Sequence, residues 1–147
     1  MKLIVDANIF IAALIKPDSI ISAILLSKKF ECISPSSMID ELNSNEEKYN
    51  KYIPSEKYKK TLINTIKFIP DEKIPRKTRK QAYGIVKEVD EDDAPYVALA
   101  IHEKSFIWTG DLKLHRYLNK NEIHFTITTT QLIKNFNRII KKIKNVR

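Results

Sequence analysis

Four carboxylates stand where a folded chain could put them to chemical use: Asp6, Glu41, Asp93 and Asp111. Asp6 ends the apolar run Leu3-Ile4-Val5, and Asp111 follows Phe106-Ile107-Trp108 through Thr109-Gly110. At the end of a buried strand such a side chain reaches the C-terminal edge of a parallel sheet, the edge where open α/β sheets bind ligands. Asp93 closes the run Asp90-Glu91-Asp92-Asp93, directly before an alanine-rich helix. Two unit charges ~4 Å apart repel by about 4 kcal/mol at an effective dielectric of ~20, so such a cluster calls for a cation or a helix N-terminus. The matching chemistry is divalent-ion chemistry: Mg²⁺ or Mn²⁺ takes hard oxygen ligands, lowers the pKa of water and offsets charge on a phosphate, paired ions lying about 3.5 to 4 Å apart.

Each acid also has a plainer reading. Asp6 can cap the helix that follows it, Glu41 can be an exposed helical acid, and Gly110-Asp111 can be a simple turn. A helix cap accounts for one member of the 90–93 run, not for all. In the helix starting near Ser36, Met38, Ile39 and Leu42 define the buried face. At about 100° per residue Asp40 then points away into solvent and Glu41 lies at the margin, able to reach a cleft. Ala94, Ala98 and Ala100 let their helix lie close to the sheet, bringing Asp93 near the strand ends. Four acids that one fold can gather at one edge favour a divalent-cation site.

The elements that must position these residues follow from periodicity and punctuation. Pro17-Asp18-Ser19 opens a helix to about Lys28, and Phe30 to Ile33 is a short strand. Ser34-Pro35-Ser36-Ser37 starts a helix to about Tyr52, and a second helix runs from Ser55 to Phe68. Ile74 to Val86 is a basic helix carrying Arg76, Lys77, Arg79 and Lys80, placed beside the site. Asp92 or Asp93 starts the helix Ala94 to Lys104, with Pro95 in its first turn. Phe106 to Thr109 and His124 to Thr128 are strands. Thr130 opens a terminal helix whose Leu132, Ile133, Phe136, Ile139, Ile140 and Ile143 keep helical period. Strands alternating with helices give a parallel sheet covered on both faces, a three-layer α/β/α architecture in a single domain over 1–147.

Composition narrows the function. The chain has 147 residues, 43% hydrophobic, enough for one domain with a real core. No apolar run approaches the ~20 residues that span a bilayer, and the direct entry from Met1-Lys2 into a strand argues against a secretory signal, so a cytoplasmic protein without a membrane partner is expected. Cys32 is the single cysteine and sits beside Ile33, a small core residue in expectation. His102, His115 and His124 have no metal-ligand spacing. A net charge of +8 and a pI near 9.5 point to a polyanionic partner such as nucleic acid or an acidic protein.

Taken in order, Val5-Asp6-Ala7-Asn8, Glu41 within Ser37-Met38-Ile39-Asp40-Glu41-Leu42, Asp93 within Asp92-Asp93-Ala94-Pro95-Tyr96-Val97-Ala98-Leu99-Ala100, and Thr109-Gly110-Asp111 resemble the acidic motifs of PIN domains. The resemblance spans roughly Met1 to Thr129 and is weaker between Asn43 and Lys87, where this chain is longer and more basic than many VapC-type toxins. It implies a metal-dependent ribonuclease with a mostly parallel sheet of about five strands, using Mg²⁺ or Mn²⁺, as in VapC-type toxins of type II toxin-antitoxin pairs and archaeal relatives. It further implies that Asn8 and Thr109 line the site as polar helpers. On that basis Asp6 is the central ligand, Asp93 and Asp111 are ligands directly or through water, and Glu41 orients the nucleophilic water. Asp90 is an alternative or additional ligand.

Two phosphoryl-transfer readings built on strand-end acids fit less well. A haloacid-dehalogenase-like enzyme wants a second Asp two residues after the first, where this chain has Asn8, and the acidic pair of a response-regulator receiver is missing. A catalytically silent module that binds RNA or an antitoxin protein carries the same acids. The basic residues Arg76, Lys77, Arg79 and Lys80 are expected to contact RNA phosphates, joined by Lys134, Arg138, Lys141, Lys142, Lys144 and Arg147 of the basic amphipathic segment 130–147. The apolar residues of that segment exceed one docking stripe, leaving sheet covering, a homodimer contact and an antitoxin contact open.

Overall fold

Leu3, Ile4 and Val5 lose all solvent exposure because β1 (Lys2–Val5) lies in the middle of a sheet covered on both faces. The computed structural model describes residues 1–146, with side chains through 143; Arg147 and the side chain of Lys144 lie outside the described residues. β2 (Glu31–Pro35), β3 (Ile66–Ile69), β4 (Phe106–Trp108) and β5 (Thr126–Ile127) complete a sheet of order β3-β2-β1-β4-β5, in which every neighbouring pair is parallel. β1, β2 and β3 step toward one edge, and the chain then returns to lay β4 on the other side of β1. The strand order therefore reverses between β1 and β4, and a crevice opens outside their carboxyl ends. The register pairs Val5 with Trp108, so Asp6 and Thr109 leave the sheet side by side.

The helices cover this sheet as expected for a three-layer α/β/α fold. α7 (Ala94–Glu103) packs on β1, β2 and β4, with α6 (Arg76–Val86) against it. Its Ala98 and Ala100 are buried, the small side chains permitting close approach to the strands. α1 (Ala7–Ile15) packs with α2 (Ile20–Ser27), α3 (Ser37–Ser44) and α5 (Glu56–Ile63). Ser19 and Ser55 cap α2 and α5, accepting from Ser22 N at 3.2 Å and Tyr58 N at 3.1 Å. α8 (Leu112–Lys120) lies beside β5. Among the described residues no single helix is long and apolar enough to cross a membrane.

The segment expected as one helix from Ser55 to Phe68 breaks in two. α5 stops at Ile63, where Thr65 Oγ1 donates to Leu62 O at 2.6 Å, and Ile66–Ile69 becomes the edge strand β3. No Gly or Pro marks that turn, which is why helical periodicity runs through it on paper. The helix expected from Ser36 to Tyr52 is also interrupted, into α3, α4 (Glu46–Tyr49) and a 3₁₀ turn Asn50–Tyr52, with the first break at Asn45. Ile39, expected on the buried face of α3, keeps 41% exposure; Met38 and Leu42 carry that face.

The terminal segment begins slightly earlier than expected and is not one helix. Thr128 caps α9 (Thr129–Asn135) through a capping box with Gln131, and α10 (Asn137–Val146) follows a break at Phe136. Phe136 meets Phe30 edge to face, ring centroids 5.8 Å apart. The apolar residues of both helices turn inward: Leu132, Ile140 and Ile143 are buried, and Ile133, Phe136 and Ile139 pack against the same core. Cys32 belongs to that core too, and burial pushes its thiol up to about 12, consistent with an inert packing residue.

Candidate functional site

The crevice is built on Asp6. With 7% of its surface exposed, its carboxyl sits at the end of β1, and its backbone N–H continues the ladder to Trp108 O at 3.2 Å. Asp6 precedes α1, and no capping hydrogen bond of good geometry reaches its side chain, so the nearby N–H groups of Ala7 and Asn8 act on it only as a weaker electrostatic pull. Its Oδ2 instead accepts from Thr109 Oγ1 at 2.7 Å. Burial raises the Asp6 pKa. The Thr109 hydroxyl and the N–H groups of Ala7 and Asn8 work against that rise, and the charge of Asp111 adds to it.

Thr109 is fully buried and joins the two strand-end acids. While donating to Asp6, its Oγ1 accepts from Asp111 N at 2.9 Å. Asp111 is half-buried, and its Oδ1 accepts from Lys113 N and Leu114 N at 3.0 and 3.2 Å. Asp111 therefore caps α8, the plainer role that Asp6 lacks. Trp108 is held behind this layer by its Nε1, which donates to Thr129 Oγ1 at 2.9 Å.

Asp93 reaches the same crevice from the other side, at the N-terminal end of α7. It makes no capping hydrogen bond, and its Oδ2 is buried without a hydrogen-bond partner. Burial, then the charges of Asp6, Asp90, Asp111 and Glu41, push its carboxyl up to about 7. Asp90 is exposed, and its Oδ1 accepts from Asp92 N at 3.0 Å, so it caps the short 3₁₀ turn Glu91–Asp93. Of this pair only Asp93 offers a buried oxygen that no described group satisfies. Asp93→Asn should therefore reduce any metal-dependent activity by at least ~10-fold more than Asp90→Asn, since an unsatisfied buried carboxylate is worth several kcal/mol to a cation and an exposed cap much less. Parallel rate measurements on the two variants check this, and the reverse ranking would make Asp90 the working acid.

Glu41 lies half-buried on α3, its Oε1 accepting from Tyr96 OH at 2.8 Å. Burial raises its pKa, the Tyr96 hydrogen bond opposes this, and Asp6, Asp92 and Asp90 raise it further. Tyr96, 2% exposed, has its own pKa raised by burial and by the Glu41 charge, so its phenol stays protonated and donates. Tyr96 is the site residue that sequence reasoning passed over. The available signal was its spacing, three residues after Asp93, on the same side of α7. Asn8 is exposed in the first turn of α1, and among the described residues its side chain makes no hydrogen bond. Arg76, Lys77, Arg79 and Lys80 are all exposed on α6, and Arg79 shares a cleft with Ala94, Pro95 and Ala98 at the start of α7.

The donor set fits a hard divalent cation in chemistry: carboxylate oxygens throughout, one of them buried and unpartnered. In geometry the acids share one electrostatic environment without closing on a point. Among the described residues no group of three or more His, Cys, Asp or Glu side chains is arranged to hold a metal ion. Asp111 Oδ1 accepts from the first turn of α8 and Asp6 Oδ2 from Thr109, so each of these acids has its other oxygen open to the crevice.

Comparison with known proteins gives this arrangement a context. A profile of the PIN domain matches residues 4–132. The chain is also 26% identical over 152 residues to "Uncharacterized protein MJ1680" of Methanocaldococcus jannaschii, covering 95% of this chain and 94% of that protein.

Proposed function

We propose, because the chain belongs to the PIN domain family, a family with a nuclease-type fold that generally uses divalent ions, that it is a Mg²⁺- or Mn²⁺-dependent endoribonuclease. The observation that carries the reading is Asp93 Oδ2, buried, unpartnered and repelled by Asp6 across the β1–β4 crevice. A carboxyl in that setting is destabilised until a proton or a cation joins it. Asp6 and Asp93 would hold the ion, with Asp111 reached directly or through water. The ion would offset charge developing on a phosphate and acidify water.

The chain's own groups supply the rest. Thr109 fixes the Asp6 carboxylate and leaves Oδ1 for the crevice. Tyr96 pins one oxygen of Glu41, leaving the other to orient a water molecule and take its proton, a task suited by the raised pKa. The attacking oxygen comes from solvent and needs no ribose hydroxyl. Products should therefore carry a 5′-phosphate and a 3′-hydroxyl, read by end-labelling and by ligation. Recovery of 2′,3′-cyclic phosphate ends would contradict the mechanism. A catalytically silent RNA-binding module with this fold would give no cleavage at all.

Exposed Arg76, Lys77, Arg79 and Lys80 would contact phosphates without reading bases. Affinity for single strands should fall with salt at a log-log slope of about −0.7 per phosphate contacted. Neutralising all four should flatten that slope and weaken unrelated sequences equally; a salt-independent affinity in the parent would refute the assignment. Cytoplasmic action as the toxin of a type II pair would add an antitoxin partner, and a short reading frame beside the gene, whose product blocks cleavage, is the corresponding test. A homodimer would be visible by light scattering.

A further inference from the structure

α6 has a second property that phosphate contact does not explain. Between Arg76 and Val86 it carries four cations and no carboxylate. At about 100° per residue, Arg76, Lys80, Tyr83 and Lys87 fall in one stripe roughly 60° wide. All four are exposed, and Tyr83 keeps 48% of its surface in solvent. Ala82 and Val86, about 100° and 60° round the helix from Tyr83, are buried where α6 packs on α7. About half of Tyr83 is therefore open to a ligand, and among the described residues its side chain makes no hydrogen bond and no cation stacks on its ring.

Gly84 adjoins it. Glycine within a helix destabilises relative to alanine, yet nothing here requires one. Its backbone is not in the left-handed region, and a Cβ built there would meet nothing within 4 Å. At about 100° from Tyr83 around the helix, Gly84 lies off the stripe, nearer Lys77 and Lys80. The stripe extends roughly 16 Å at the helical rise, and its Lys87 end runs into the acidic loop, where Asp90 N donates to Val86 O at 2.9 Å.

We propose that the outer face of α6 is a base-stacking site for single-stranded RNA, with Tyr83 as the platform and Arg76, Lys80 and Lys87 holding the flanking phosphates. The site rests on the nuclease reading and supplies its substrate with a hold outside the catalytic crevice. An unpaired base offers a π-face to Tyr83 whatever its identity, and the cations neutralise the backbone on either side. A duplex presents the same phosphates with its bases stacked on one another, so it gains from the lysines and arginine but not from the ring.

The full chain is tested in chelator, where binding is read without cleavage, by anisotropy of a labelled single-stranded RNA of mixed sequence and of the matching duplex. Tyr83→Ala should weaken the single strand about 5- to 100-fold and leave the duplex within about twofold. Tyr83→Phe should bind within about twofold of the parent. Parental affinity in Tyr83→Ala overturns the site and leaves the stripe to an acidic protein; equal losses on both RNAs also overturn it, because paired bases cannot stack on the ring. A parent chain that binds no single strand in chelator but cleaves RNA with Mg²⁺ overturns this site alone, whereas one that neither binds nor cleaves overturns the nuclease reading with it.

Discussion

Asp6→Asn removes RNA cleavage by at least ~10³-fold while the protein stays folded, the loss expected when about 4 kcal/mol of charge stabilisation goes with a central metal ligand. The amide keeps the volume of the carboxylate and one oxygen that can accept from Thr109, so strand and crevice survive. Replacing a buried carboxyl whose charge is disfavoured by desolvation and by Asp111 also removes a destabilising group. The metal-free variant should consequently melt above the metal-free parent. Rate assays and thermal melts in chelator measure both halves. An unfolded variant, or one with near-parental activity in Mg²⁺, would remove Asp6 from the centre of the site.

The second large effect concerns stability against pH in chelator. Asp93 ionises near 3.8 in an unfolded chain and at about 7 in the folded one. Between those values the folded protein still binds the proton that the unfolded chain has released. Stability therefore falls as pH rises through roughly 4 to 7, is fully relieved of this burden below that window, and levels off above it. The full shift would correspond to about 4 kcal/mol; screening of a half-buried carboxylate by water reduces the expected difference to about 2 kcal/mol. Denaturant melts at both ends of the window, compared between parent and Asp93→Asn, isolate the contribution. The variant should lose most of the slope, and Mn²⁺ should restore the parent's stability at the upper end. A parent-minus-variant stability that rises with pH would contradict the electrostatic picture.

Much of this site was legible in the chain because its acids sit at strand and helix ends, positions that apolar runs mark clearly. Leu3-Ile4-Val5 is buried throughout, and Phe106-Ile107-Trp108 is buried except for Phe106, which keeps 38% exposure; such continuous apolar runs mark strands of a covered parallel sheet, and so mark where Asp6 and Asp111 follow the strand ends. What could not be read is which acids are satisfied locally. Capping was open to Asp6 and to one acid of the 90–93 run, and a simple turn to Asp111; side-chain geometry instead makes Asp90 and Asp111 the caps and ties Asp6 Oδ2 to Thr109. β3 was hidden because Asn64-Thr65 turns the chain without Gly or Pro, and an edge strand with two half-buried residues lacks a clear alternation. Tyr96 was hidden for another reason: an aromatic in an apolar helix looks like core, and its hydroxyl finds Glu41 only once α3 and α7 are packed together. The single terminal helix was overextended because Phe136 keeps the helical period across the break at which its ring meets Phe30.

Incubation of a defined, labelled RNA with the purified chain, with Mg²⁺, with Mn²⁺ and with chelator, measures the account most directly when Asp6→Asn is run beside the parent. Internal cleavage by the parent that requires either ion, stops in chelator and is absent in Asp6→Asn is the predicted result. Cleavage that persists in chelator, or that Asp6→Asn retains, would contradict it.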